Sequence, residues 1–104
     1  MNRILIIDDD KELCVLIKQS VLSENIEADF CNNGREGLQK LKEAEYQLVI
    51  LDIMMPGIDG FEVLGEIRKE SRLPILMFTS KNDSVSKVLG LRAGADDYLT
   101  KPFD

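Results

Sequence analysis

Asp52 closes an apolar run, Leu48 to Leu51, and is followed by turn chemistry at Pro56 and Gly57. The run has the length and branched character of a strand buried on both faces. A carboxylate placed where a buried parallel strand ends sits at the mouth of the sheet, where α/β folds bind ligands. Two other strand-like runs end in reactive groups: ILIIDDD carries Asp8 and Asp9, and DYLTKPF carries Lys101. Taken singly, each group has a plainer reading. The DDD run could be a solvated helix cap, Asp52 a turn residue, and Lys101 a surface lysine. Their convergence on neighbouring strand ends points elsewhere, to a site for a cation and a phosphoryl group. Three carboxylates ~4 Å apart would repel by roughly 4 kcal/mol per pair at an effective dielectric near 20. A divalent cation relieves that repulsion. Oxygen-only ligands suit Mg²⁺, which keeps several waters and accepts phosphate oxygens.

The elements that must position these groups alternate along the chain, with no linker, repeat or low-complexity stretch. Strands are predicted over residues 3–7, 27–31, 48–52, 74–79 and 97–100. Helical stripes lie between them: Leu13, Leu16, Ile17 and Val21, with Asp10 as N-cap, then Leu38, Leu41 and Ala44. Phe61, Leu64 and Ile67 form a third stripe, and Val85, Val88 and Leu89 a fourth. Alternating βα units with nearly all-apolar strands imply a parallel sheet covered on both faces by right-handed crossovers. The predicted fold is a doubly wound α/β sheet in the order 2-1-3-4-5. It sets the first and third strands side by side, so Asp8, Asp9 and Asp52 meet at the switch point. Such a sheet calls for a fifth helix, and the sequence stops at Asp104 without one. We therefore expect a single domain over residues 1–104 lacking its last helix, in a natural protein that continues further.

Composition narrows the chemistry. The chain has 104 residues, 44% hydrophobic and 31% charged, in the range of a globular domain with one core. A net charge of -6 and no basic stripe argue against nucleic-acid binding by this segment. No apolar stretch approaches the roughly 20 residues of a membrane span. Met1-Asn2-Arg3 leads straight into a strand, so no signal peptide is expected and the reading is cytoplasmic. Cys14 and Cys31 lack metal-site spacing and read as reduced packing residues. Histidine is absent, which removes Ser-His-Asp and Cys-His catalysis.

The blocks ILIIDDD, LVILDIMMPGIDGFEVL, PILMFTS and GADDYLTKPF together resemble response-regulator receiver domains of two-component signalling. The resemblance covers the whole chain and is strongest to the class attached to winged-helix DNA-binding domains (OmpR/PhoB). It implies that Asp52 accepts a phosphoryl group from a sensor histidine kinase, with Mg²⁺ as cofactor. It assigns Asp9 as a direct metal ligand, Asp8 as one acting mainly through a coordinated water, and the Met54 backbone carbonyl as a further ligand. Thr79 and Lys101 would each hold a phosphoryl oxygen, and the Lys101–Pro102 peptide would be cis. Thr79 drawn toward phosphate would vacate space for Tyr98, which makes these two the switch. Lys87, Val88, Leu91, Asp96 and Asp97 resemble the face through which such receivers form homodimers on phosphorylation; Arg92 stands where many carry an acid. DNA would be bound only through a further C-terminal domain. On this likeness the chain is a regulatory phosphoacceptor and not an enzyme acting on a separate substrate.

Other classes compete. A stand-alone receiver acting by protein contact shares every site residue. A haloacid-dehalogenase-like phosphatase would use Asp8 and Asp10 as its DxD pair, but Glu12 stands where a Thr or Val is expected. A flavodoxin-like nucleotide binder would have to bring phosphate to an acid-rich loop that repels it.

Overall fold

The computed structural model describes residues 2–102. Strands and helices alternate as β1 (Asn2–Ile7), α1 (Lys11–Leu22), β2 (Ile26–Cys31), α2 (Gly34–Glu43) and β3 (Leu48–Leu51). They continue as α3 (Gly60–Glu70), β4 (Ile75–Thr79), α4 (Ser84–Arg92) and β5 (Asp97–Thr100). All strand pairs are parallel and the order is β2-β1-β3-β4-β5, the expected doubly wound sheet. Strand limits depart from those expected by one residue at most.

Register is what places the site. Ile7 pairs with both Cys31 and Leu51, so β1 and β3 finish level. The ladder then runs one residue further: Asp8 N–H donates to the Cys31 carbonyl at 3.1 Å and Asp52 N–H to the Ile7 carbonyl at 3.0 Å. The next residue of each strand is therefore an aspartate held on the sheet's carboxyl edge.

Alternate residues of the central strands serve opposite faces. Leu5, Ile7, Val49, Leu51, Ile75 and Met77 are fully buried in one cluster with Val63, Leu64 and Ile67 of α3. Leu38 and Leu41 of α2 pack against the same cluster. On the other face Ile4, Ile6 and Ala28 pack with Cys14 of α1. Each helix starts on an Asx residue whose side chain accepts a backbone N–H three residues on. Asp10 caps α1, Asn33 α2, Asp59 α3 and Asp83 α4.

Two apolar stripes are turned differently from expectation. Leu16 is 59% exposed, and α1 faces the sheet with Cys14, Ile17 and Val21. In α4 the expected stripe of Val85, Val88 and Leu89 is exposed, and the buried residues are Ser86 and Gly90. The reason lies in β5. Tyr98 fills the space beneath α4, so the helix settles through its smallest residues.

Candidate functional site

Asp8 and Asp52 are buried, at 2% and 4% exposure, while Asp9 is exposed at the rim. One carboxylate oxygen from each of the three lies within 4.8 Å of the others. Lys101 extends from the end of β5 into this cluster, its Nζ 2.8 Å from Asp8 Oδ2 and 3.2 Å from Asp52 Oδ2. Three carboxylates against one ammonium leave two negative charges, the complement of one divalent cation. Backbone N–H groups hold the acids in place: Asp10 N–H donates to Asp8 Oδ1 at 3.0 Å and Met54 N–H to Asp52 Oδ1 at 3.3 Å.

Burial acts on these groups with opposite signs. Loss of water pushes the Asp8 carboxyl up, and the neighbouring Asp52 charge adds to it, while bonds from Lys101 and the Asp10 N–H oppose it. Burial pulls the Lys101 ammonium down, but its bond to Asp8 and the charges of Asp52 and Asp8 outweigh this and raise it. The lysine therefore stays charged at neutral pH.

The acids suit a hard cation. Mg²⁺ at about 2.1 Å from its ligands spans ~4 Å between opposite oxygens, and the three acids offer oxygens within 4.8 Å of one another, close enough to converge on one such ion.

Thr79, the last residue of β4, is fully buried, and its hydroxyl oxygen accepts the Lys81 N–H at 3.3 Å. The carbonyl of the same Lys81 accepts the hydroxyl of Tyr98, which is 7% exposed. One residue of the β4–α4 loop thus joins both expected switch side chains. Tyr98 lies inward here while the Thr79 hydroxyl is held at the Lys81 N–H.

The expected cis bond at Lys101–Pro102 is a correction: no peptide bond among the described residues is cis. Lys101 N–H donates to the Thr79 carbonyl at 2.8 Å, which prolongs the β4–β5 ladder. From that position the lysine reaches both carboxylates through the trans form that X–Pro bonds ordinarily prefer.

All five residues of the expected dimer face, Lys87, Val88, Leu91, Asp96 and Asp97, are exposed. Asp96 has partners within the chain. Its Oδ2 accepts the Ile75 N–H at 2.8 Å and pairs with the Arg68 guanidinium at 3.0 Å. Arg68 also donates to the carbonyls of Leu73 and Gly94, binding α3 to the segments that lead into β4 and β5.

Sequence reasoning missed three supports. Asn32 donates from its side-chain amide to the Asp8 carbonyl at 2.8 Å, fixing the turn that carries the acid. Gly60 lets the β3–α3 loop close on the site, since a Cβ there would overlap the Asp52 carbonyl oxygen. Arg68 is the third. Only the Asp59-Gly60 pair left a local signal, as a loop-to-helix punctuation.

Comparison with known proteins agrees with this geometry. The sequence pattern of the response regulator receiver domain matches residues 4–104. The chain belongs to the response-regulator receiver family. The transcriptional regulatory protein CpxR homolog of Haemophilus influenzae is 47% identical over 104 residues, covering 100% of this chain and 45% of that protein. PcoR of Escherichia coli, another transcriptional regulatory protein, is 42% identical over 105 residues, covering 100% of this chain and 46% of its own. The receiver thus spans about half the length of these relatives. Among solved structures, response regulator TrrA of Thermotoga maritima in complex with Mg²⁺ and BeF superposes with a TM-score of 0.88. It is 41% identical, and the match covers 100% of this chain and 90% of that one. Family membership sets aside the phosphatase reading, and the geometry concurs. Asp10, the second acid of the DxD pair, spends its side chain capping α1 through the Leu13 N–H at 3.1 Å. Among the described residues, no helix is long and apolar enough to cross a membrane.

Proposed function

We propose that this receiver is a phosphorylation switch in which Asp52 is the acceptor. The phosphoryl group comes from the phosphohistidine of a sensor histidine kinase, since this chain has no histidine of its own. An Asp52 oxygen attacks phosphorus in line. The bond to the histidine nitrogen breaks, and that imidazole takes up a proton as it leaves. Phosphoryl transfer has a loose transition state, so positioning and charge neutralisation carry it. Asp9, Asp52 and the Met54 carbonyl would hold Mg²⁺ directly and Asp8 through water; the ion would neutralise phosphoryl oxygens. Lys101 pairs with a second phosphoryl oxygen and the Thr79 hydroxyl donates to a third. No separate substrate is turned over: the domain promotes only its own phosphorylation and dephosphorylation.

Thr79 and Tyr98 share Lys81, so a pull on the Thr79 hydroxyl is felt at the ring beneath α4. The exposed Lys87, Val88, Leu91, Asp96 and Asp97 then form the face that pairs with a second phosphorylated copy. The longer relatives are named as transcriptional regulators, which supports a natural protein in which this receiver controls a DNA-binding domain.

The observation that carries this reading is Lys101 bridging two buried carboxylates beside a third. Asp52→Asn keeps the shape and removes the nucleophile together with one charge of a repulsive cluster. Phosphoryl uptake from acetyl phosphate with Mg²⁺ should vanish in this variant while its circular dichroism stays native. Uptake equal to wild type would remove Asp52 from its role.

A further inference from the structure

Gly90 sits inside α4, where its backbone is helical and needs no glycine. A glycine there weakens the helix relative to alanine. What the position does require is space. A Cβ at Gly90 would stand 3.1 Å from Tyr98 Cδ2 and 3.3 Å from Tyr98 Cε2, with Phe61 Cε1 at 3.7 Å. The first two distances are closer than side-chain carbons ordinarily approach, so ring or helix would have to yield. The ring has little freedom to do so, because its hydroxyl is bonded to the Lys81 carbonyl and its body is buried in the core cluster.

We propose that Gly90 is the positioning residue of the Tyr98 switch: its missing side chain forms the seat on which the inward ring rests. This rests on the reading of Asp52 as phosphoacceptor and of Tyr98 as the group that reports it to α4. A methyl group at position 90 raises the cost of the inward ring without touching the acids, Lys101 or Thr79. The position therefore sets how much of the population holds Tyr98 inward, and with it how strongly events at Asp52 are felt on the α4 surface.

The chain has two tyrosines and no tryptophan, which makes the ring directly observable. With 3-fluorotyrosine incorporated into the full chain, fluorine NMR should give two signals, assigned by Tyr46→Phe. Gly90→Ala should move the Tyr98 signal toward its solvent-exposed position and leave that of Tyr46 in place; Gly90→Val should move it further. At equal phosphoryl occupancy of Asp52, measured by intact mass, the variants should retain a smaller inward fraction than wild type. A thermal cycle separates this role from helix stability. Gly90→Ala should raise the melting temperature in a Tyr98→Leu background, where the ring is gone, and fail to raise it in the wild-type background. An unmoved Tyr98 signal in both variants, or equal melting shifts in the two backgrounds, would overturn the proposal. If wild type took up no phosphoryl group on Asp52, the functional reading would fall, while the ring signal of the unphosphorylated chains would still decide what Gly90 does.

Discussion

Lys101 meets Asp8 and Asp52 together, and that triangle explains why a cluster of buried acids is tolerated at all. Asp9 differs in being exposed, so it can turn toward an incoming cation at little cost in burial. Mg²⁺ binding only the native state should stabilise by about 2.7 kcal/mol at a hundredfold excess over its dissociation constant. Asp9→Ala should lose most of that gain in a thermal titration with Mg²⁺; a melting temperature indifferent to the ion in wild type would mean that these acids hold no metal. The cysteines make a contrasting case. Cys14 is fully buried, and burial first, then the charges of Asp8 and Asp10, push its thiol up to about 12. At pH 8 it should be inert to a thiolate-directed reagent in the native state and react only on unfolding. The acids and the lysine were legible in the sequence because each follows an apolar run that only a strand explains. Asn32 was not: the predicted strand order sets position 32 beside position 8, but nothing in Cys31-Asn32-Asn33-Gly34 reveals that the Asn32 amide turns onto the Asp8 carbonyl.

At the scale of elements, strands were read to within a residue, whereas helix faces were read less well. A strand buried on both faces announces itself by composition alone. The orientation of a helix depends on what lies beneath it, and beneath α4 lies an aromatic ring contributed by a strand still to come. The Arg68–Asp96 pair is hidden for the same reason: its members are 28 positions apart and meet only once β5 has joined the sheet. Gly60 shows how an element's first residue can serve the site. Any side chain there would strike the Asp52 backbone, which cannot swing aside as a rotamer can. Gly60→Ala should destabilise by the upper part of the roughly 1–3 kcal/mol typical of overpacking, seen as a lower denaturant midpoint, and should slow phosphoryl uptake at Asp52.

For the whole molecule, the two faces of the sheet are unequally covered among the described residues. Three helices lie on one face, and α1 alone lies on the other. The register puts Ile50, Leu76, Phe78 and Leu99 on the sparsely covered face. Leu99 is 48% exposed there, and Leu16 of α1 is 59% exposed. Full burial of one such side chain is worth about 1.5–3 kcal/mol, so a cover over several would matter against a total of about 5–15 kcal/mol. Residues 1–104 alone should therefore associate through this face, and a version extended by an added amphipathic helix should be more stable and monomeric. Sedimentation paired with denaturant unfolding compares the two; equal stability and a monomer in both would show that this surface needs no cover.

The most direct measurement on the molecule as a whole is the position of the phosphoryl group. After exposure to acetyl phosphate and Mg²⁺, intact mass should show a single added phosphoryl group, and peptide mapping should place it on Asp52. The added mass should be lost on removal of Mg²⁺ from the reaction or on replacement of Asp52 by Asn. A phosphoryl group mapped to Asp8 or Asp9 in wild type, or none under these conditions, would contradict the assignment of Asp52 as acceptor.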